Sequence, residues 1–371
     1  MHFFFETIDR WSYKILEVFK RFPLAILSSF MVTIIFMILV EVGEKIDGNF
    51  IVLANKLVLV LSLGIFLFPA LHLLSKKLWF KIAGILLLLV YYYYLPSNVF
   101  NSTTIMHHFL LIFALCFMFL WAPFMDIRIS NQNIWEWTQT IVQNLLVSLL
   151  LSLVFFIMFY ITMYALEVLF SVSLAQRHYL QFALFILGIF TTLSFFSKMP
   201  RYIMLVQKNR YADIGLVFTK YILTPSFLIY FLILFAYIIK ILISKGYQEI
   251  NIDLLVLGYT FITIGTYMHW TPLWDDANKK FRALIWGSLF VLSVIVGISI
   301  YIRTLETSLD EYYLMSLFTL WLGLISLYFL FIKNASYKWL FFSISLLIVI
   351  SQSQQLIDIS LELYDKALTF I

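Results

Sequence analysis

Most of the chain consists of apolar runs of about 20 residues, separated by short charged segments. Phe22–Val40, Ile51–Leu74 and Leu284–Ile302 are clear examples. At a rise of about 1.5 Å per residue, such a run crosses the roughly 30 Å hydrocarbon core of a bilayer as one α-helix. Only 12% of the residues are charged, whereas soluble domains average about 25%. The sequence therefore predicts a membrane protein.

Length and hydropathy indicate about eleven spans. They are predicted near 22–41, 51–74, 79–95, 104–124, 140–166, 180–198, 223–244, 252–270, 282–302, 311–332 and 337–354. In lipid the backbone must satisfy its own hydrogen bonds, which favours helices, and runs such as Ile85–Val90 do not alternate as barrel strands do. We therefore predict an all-α fold, a polytopic transmembrane helix bundle over residues 22–354.

The two ends of the chain are amphipathic rather than spanning. Residues 1–21 place apolar side chains at three- and four-residue intervals, which predicts an interfacial helix on the cytoplasmic leaflet or, alternatively, a short soluble cap. Residues 355–371 are weakly amphipathic and predict a short extracytoplasmic helix.

Lysine and arginine predict the orientation. Most of the 25 Lys and Arg residues fall in segments on one side of the predicted helices, which places the N-terminus in the cytoplasm. An odd number of spans then places the C-terminus outside. The positive-inside bias explains the basic loop Lys198–Lys220, so we predict contact with the lipid bilayer and no nucleic-acid partner. The predicted headgroup contacts are Arg10, Lys14, Lys20, Arg21, Arg201, Lys208 and Arg210.

Ionisable side chains within the spans are the main candidates for function, because each costs at least about 2.5 kcal/mol to insert. Lys56, Glu167, Tyr237 and Lys240 are predicted to line a substrate path on the extracytoplasmic side. The alternative for both lysines is that they snorkel to the outer interface. Thr224-Pro225 is predicted to distort its helix, since proline removes a backbone hydrogen bond.

Four histidines are candidates for proton relay, because histidine titrates near neutral pH. They are His72, His107, His108 and His269, and the alternative for each is a packing or interfacial role. His107 and His108 point about 100° apart on a helix, which makes a poor metal site. The chain also lacks the phosphate-loop, dinucleotide, zinc-protease and serine-hydrolase motifs. We predict no metal, no cofactor and no catalytic residue.

Several segments resemble a bacterial membrane family known as domain of unknown function 4153. The most specific is Lys220–Ile241, with Tyr221-Ile222-Leu223-Thr224-Pro225, Tyr230 and Ala236-Tyr237. Looser matches are Lys20–Ala25, Thr304–Trp321 and Ser351-Gln352 with Leu356. Asp310-Glu311 and Gln355 depart from the family pattern, which has basic residues there. The resemblance implies a helical protein of the bacterial cytoplasmic membrane and no particular activity.

Three functions fit these features. The leading hypothesis is transport of a small solute, ion or lipid-like molecule, because the chain has many spans and buried ionisable residues. The second is a membrane sensor, scaffold or assembly subunit that binds a membrane-protein partner or a second copy of itself. The third is a membrane enzyme that acts on lipid-linked substrates through Glu167 and a histidine. These groups are predicted on opposite sides, so we lean away from an enzyme.

Overall fold

The computed structural model describes residues 15–42, 48–127, 129–171, 175–200, 213–244, 252–273, 279–304 and 312–352. Within these residues the secondary structure is helical without strands, and a helix lies at every predicted span. The predicted all-α polytopic bundle is therefore confirmed. Of the predicted interfacial helix, residues 15–21 are helical, and residues 1–14 lie outside the described residues, as does the predicted C-terminal helix over 355–371.

The described residues form two compact units, and α2 is the centre of unit 1. Unit 1 comprises the described parts of 1–127, 137–206 and 352–371. Its helices are α1 Pro23–Val42, α2 Gly48–Leu74, α3 Leu78–Tyr94, α4 Ser102–Trp121, most of α5 Asn131–Phe170, and α6 over Gln176–Ser197. Helix α2 packs against α1, α3 and α4. The Asn101 side chain starts α4 by accepting a hydrogen bond from the Thr104 amide at 2.6 Å.

Unit 2 is built around α9 and has an aromatic core. It comprises the described parts of 128–136 and 207–351. Its helices are α7 over 213–244, α8 Ile252–Trp270, α9 Lys279–Thr304, α10 Tyr313–Phe331 and α11 Tyr337–Ser351. Helix α9 packs against α8 and α10. Trp286 of α9 stacks on Phe329 of α10 with ring centroids 4.2 Å apart, and Tyr267 of α8 lies 5.2 Å from Trp286.

The helices make this a multi-pass membrane protein. Within the described residues, 8 helices are long and apolar enough to cross a bilayer: α1, α2, α4, α5, α6, α7, α9 and α10. Helices α3 and α11 are apolar but have 17 and 15 residues. Helix α8 has 19 residues, and its threonines and Asp253 make it less apolar.

Contacts within unit 1 agree with the predicted alternation of helix direction. At one end, Arg21 Nη1 donates to the Met199 carbonyl at 2.9 Å and Nη2 to the Pro200 carbonyl at 2.7 Å. At the other end, Arg177 forms an ion pair with Glu41 at 3.3 Å. Each pair joins segments predicted to share one side of the membrane. We call the first of these the Arg21 end of unit 1. We call the second the Lys56 end, because Lys56 lies in the nearer half of α2.

Two of the described helices contain a π-turn. This widened turn is rare overall but is often found at functional sites. In α6 it covers Ile186–Phe190, and in α7 it covers Phe218–Leu223. The second π-turn directly precedes Thr224-Pro225, the pair predicted to distort this helix. Thr224 donates both its amide and its hydroxyl to the Thr219 carbonyl, the latter at 2.7 Å. A wider turn gives the proline ring room next to the preceding carbonyls.

Candidate functional site

A hydrogen-bonded chain of polar side chains joins three helices inside unit 1. His108 of α4 is buried, with 5% of its surface exposed. Its Nδ1 lies 3.0 Å from the Tyr91 hydroxyl of α3, and its Nε2 lies 3.0 Å from the Ser62 hydroxyl of α2. Both nitrogens of an intramembrane histidine therefore have partners, which offsets the cost of burying the ring.

The direction of these hydrogen bonds follows from Ser62. Its hydroxyl donates to the Leu59 carbonyl at 2.8 Å, so its oxygen is left to accept from His108 Nε2–H. The neutral ring carries one proton, and Nδ1 must then accept from the Tyr91 hydroxyl. The chain runs from Tyr91 to His108 to Ser62 and ends at the Leu59 carbonyl.

Lys56 lies nearer the start of α2 than Ser62 and points about 120° away from it around the helix. It is six residues before Ser62, or about 9 Å along the axis. Its Nζ donates to the Leu95 carbonyl at 2.6 Å and lies 5.6 Å from the centre of the Tyr92 ring. A cation at this position also complements the negative C-terminal end of α3. Lys56 is half-buried.

His107 and His108 contact different partners, as neighbours on a helix must. His107 Nδ1 makes a short hydrogen bond to the Gln352 side-chain oxygen, whereas His108 faces α2 and α3. No group of three or more His, Cys, Asp or Glu within the described part of the chain could hold a metal ion. The polar chain is thus a set of proton donors and acceptors.

An apolar layer separates the polar chain from the Arg21 end. Ser62 and His72 are ten residues apart on α2, or about 15 Å. Between them, Leu63, Leu67 and Leu71 are buried against Leu88 of α3. A layer of packed leucines leaves no polar partner for water or an ion. This layer therefore separates the His108 chain from the Arg21 end.

The other predicted path residues are divided between the two units. Glu167 on α5 is half-buried and hydrogen bonds to Tyr179 on α6, in unit 1. Lys240 on α7 is exposed and Tyr237 is half-buried, and both belong to unit 2. The structure thus places Lys56 and Glu167 in one unit, and Tyr237 and Lys240 in the other.

The remaining predicted relay histidines have separate surroundings. His72 packs edge-on against Phe22 at 5.2 Å in unit 1. His269 of unit 2 lies with Nδ1 2.9 Å from the Gly265 carbonyl, one turn earlier on its own helix. His108 differs from them in that both of its ring nitrogens lie within hydrogen-bond distance of side chains of other helices in unit 1.

Two of the predicted headgroup contacts are described, and both lie at the Arg21 end. Lys20 is exposed and Arg21 is half-buried against Phe22, 4.8 Å from the ring centre. The others fall outside the described residues: Arg10, Lys14, Arg201, Lys208 and Arg210.

Sequence reasoning missed a second polar cluster at the Arg21 end. Lys198 Nζ donates to the hydroxyls of Ser148 and Ser194 at 3.3 and 3.2 Å. Asn144 donates to the Lys198 carbonyl at 2.8 Å, which joins α5 to the end of α6. The available signal was the spacing of Asn144, Ser148 and Ser152, since four-residue steps place them on one face of α5.

Comparison of the chain with models of protein families, with curated proteins and with solved structures found no match. The resemblance to the family of unknown function 4153 stays a prediction. Within unit 1, the His108 chain is an arrangement of polar side chains that can bind a proton.

Proposed function

We propose that this chain is a transporter of a bacterial cytoplasmic membrane, with its N-terminus inside, that moves a small solute, ion or lipid-like molecule. In this proposal unit 1 holds a proton-binding site at His108, reached from the extracytoplasmic Lys56 end. The observation that supports it most is a buried histidine within the membrane, with both ring nitrogens bonded to side chains of neighbouring helices.

The bonding of His108 suits a group that gains and loses a proton. When neutral, the ring accepts from Tyr91 and donates to Ser62. After protonation, Nδ1–H would donate to the Tyr91 oxygen, so both nitrogens keep a partner in either state. Tyr91 on α3 and Ser62 on α2 are the polar groups that contact the ring, and Lys56 lies about 9 Å further along α2.

The Ser62 end of the hydrogen-bonded chain suits a site that binds a proton better than one that conducts it. The Ser62 hydroxyl donates to the Leu59 carbonyl, and a backbone carbonyl has no proton that it could donate to a further group. Beyond it lies the leucine layer of Leu63, Leu67 and Leu71. A proton-binding site with an apolar layer on one side suits a coupled carrier, whereas a channel needs a continuous polar path.

The test is a transport assay on proteoliposomes. Jumps in concentration of amino acids, sugars, nucleosides, organic anions and inorganic ions are applied while membrane current and lumenal pH are recorded. We expect one solute class to give a signal that grows with an inward proton gradient. In His108→Phe this signal should fall to the level of protein-free liposomes, because the ring can no longer bind a proton.

His107→Phe is the matched control, since it removes the neighbouring histidine but leaves the bonds to Tyr91 and Ser62 in place. It should keep the gradient dependence. Equal losses in the two variants would exclude a special role for His108. Absence of current and of pH change with every solute class would contradict transport.

The exposure of α5 favours a second candidate, a membrane scaffold or assembly subunit. This helix has 40 residues, yet only 11% of its most apolar stretch is buried against the rest of the described structure. A 40-residue helix is about 60 Å long, twice the thickness of the hydrocarbon core. A long apolar helix with so little intramolecular packing has a large surface for a partner helix or a second copy.

A photo-crosslinking amino acid at Met158 of α5 tests this candidate in native membranes. We expect one protein adduct of defined mass, because the Met158 side chain is 64% exposed and a partner on α5 would contact it. The matched control is Leu232 of α7, which is 65% exposed and should give only lipid adducts. Lipid adducts alone at both positions would exclude the scaffold candidate.

A further inference from the structure

The Arg21 end of unit 1 concentrates positive charge around His72. Arg21 precedes α1, Lys76 lies in the loop between α2 and α3, and Lys81 lies in the first turns of α3. All three cations act electrostatically on the His72 ring at the end of α2. Like charges on three segments repel one another, so the arrangement favours an anion that binds among them.

The Nε2 nitrogen of His72 is the one that can donate to such an anion. Nδ1 is buried and makes no hydrogen bond, while the residue as a whole is half-exposed. A buried nitrogen without a partner is less costly as a bare acceptor than as an N–H donor. The ring proton then resides on Nε2, which makes His72 a hydrogen-bond donor beside Lys76 and Lys81.

An open apolar groove of about 240 Å³ begins next to this cluster and runs between α1, α2 and α3. Leu24, Phe68 and Ile85 line its near part, each about one helical turn from Arg21, His72 and Lys81 respectively. Met31, Leu57 and Tyr92 line its far part, toward the Lys56 end. The groove therefore starts at the basic cluster and continues into the depth of the membrane.

We propose that this end of unit 1 is a binding site for an anionic phospholipid. The phosphate group is held by Lys76, Lys81 and His72, and one acyl chain lies in the groove between α1, α2 and α3. Lysine is a common ligand for phosphate, and basic residues at a membrane surface select anionic headgroups. The groove favours a lipid over free phosphate as the ligand, because an acyl chain can fill an apolar groove and inorganic phosphate cannot.

The first test compares lipids on the delipidated full-length protein by native mass spectrometry and thermal shift. Phosphatidylglycerol should stay bound and raise Tm, while phosphatidylcholine with the same chains should do neither. Inorganic phosphate should give no comparable shift, and an equal shift would replace the lipid site with a free-phosphate site. Equal retention of the two lipids would overturn the proposal.

Point variants then test the two parts of the site separately. Lys76→Gln/Lys81→Gln should lower the affinity for phosphatidylglycerol about tenfold or more. Lys76→Gln alone should lower it more than Lys77→Gln, the matched control, which removes the neighbouring charge outside the set that acts on His72. Equal effects of these two single changes would show that binding depends on general charge, and would overturn the proposed site.

The groove has its own pair of variants. Ile85→Trp should fill it and displace the acyl chain, because Ile85 is exposed and lines the groove. Leu86→Trp, at an adjacent exposed position that does not line the groove, should leave lipid binding unchanged. If both tryptophans are without effect, the acyl chain lies elsewhere and the proposal is wrong.

Discussion

Gly188→Ala is expected to destabilise unit 1 by about 3 kcal/mol and to lower its Tm by about 5–10 °C. A Cβ atom at this position would lie 2.0 Å from Thr33 Oγ1 and 3.2 Å from Thr33 Cβ. Thr33 is buried on α1 and its hydroxyl donates to the Ser29 carbonyl at 2.8 Å, so it cannot simply move away. Helices α1 and α6 would have to separate.

Their separation would also break a bond made at the π-turn. Ser29 of α1 donates to the Gly188 carbonyl at 2.6 Å, whereas the bond from Thr192 to the same carbonyl lies within α6 and would remain. In lipid a lost interhelical hydrogen bond has no water to replace it. Thermal unfolding of the purified protein, followed by tryptophan fluorescence, measures the effect.

Gly287→Ala on α9 is the matched control, because a Cβ there meets no atom within 4 Å. It should be neutral or raise stability by up to about 1 kcal/mol, as alanine does inside helices. Thr33→Ala should partly rescue Gly188→Ala, with a coupling energy of about 1 kcal/mol. Equal melting of Gly188→Ala and Gly287→Ala would show that α1 and α6 do not depend on this close approach.

Apolar length was enough to predict where the helices lie, but not where each one ends. The fifth span is predicted over 140–166, whereas α5 runs over Asn131–Phe170. Its first turns are too polar to read as part of a span. They are held by tertiary contacts, since Asn131 donates to the Ala335 carbonyl at 2.8 Å and accepts from the Tyr337 amide at 3.0 Å. Contacts of this kind have no local signal in the sequence.

The candidate site could be predicted only in part for the same reason. His108 is a candidate from the sequence because an ionisable group inside a span is rare. Tyr91 is one of four consecutive tyrosines, Tyr91–Tyr94, and interfacial position alone explains such a run. Ser62 lies in a leucine-rich span where a serine usually bonds to its own helix. Only the packing of α2, α3 and α4 brings the three side chains together.

Arg282→Met is expected to lower the stability of unit 2 by about 3 kcal/mol. The guanidinium closes the C-terminal end of α10, where helix carbonyls lack partners. It donates to the Phe329 carbonyl at 2.8 Å, to Ile332 at 2.5 Å and to Lys333 at 3.0 Å. Methionine is of similar length but has no donor, so these carbonyls lose the bonds from the guanidinium and the negative end of the helix loses its cation.

Two further variants separate charge from hydrogen-bond geometry. Lys280→Met removes an exposed cation two residues away and should change stability by less than about 0.5 kcal/mol. Arg282→Lys keeps the charge but loses the planar fork, so it should fall between the other two. Hydrogen exchange gives a local readout, because the Ala335 amide bonds to the Ile332 carbonyl at 3.2 Å in the turn that Arg282 holds. Faster exchange there in Arg282→Met alone is expected. If Arg282→Met and Lys280→Met melt together, the end of α10 is held by the aromatic core of Trp286, Phe329 and Tyr337, and the arginine adds nothing.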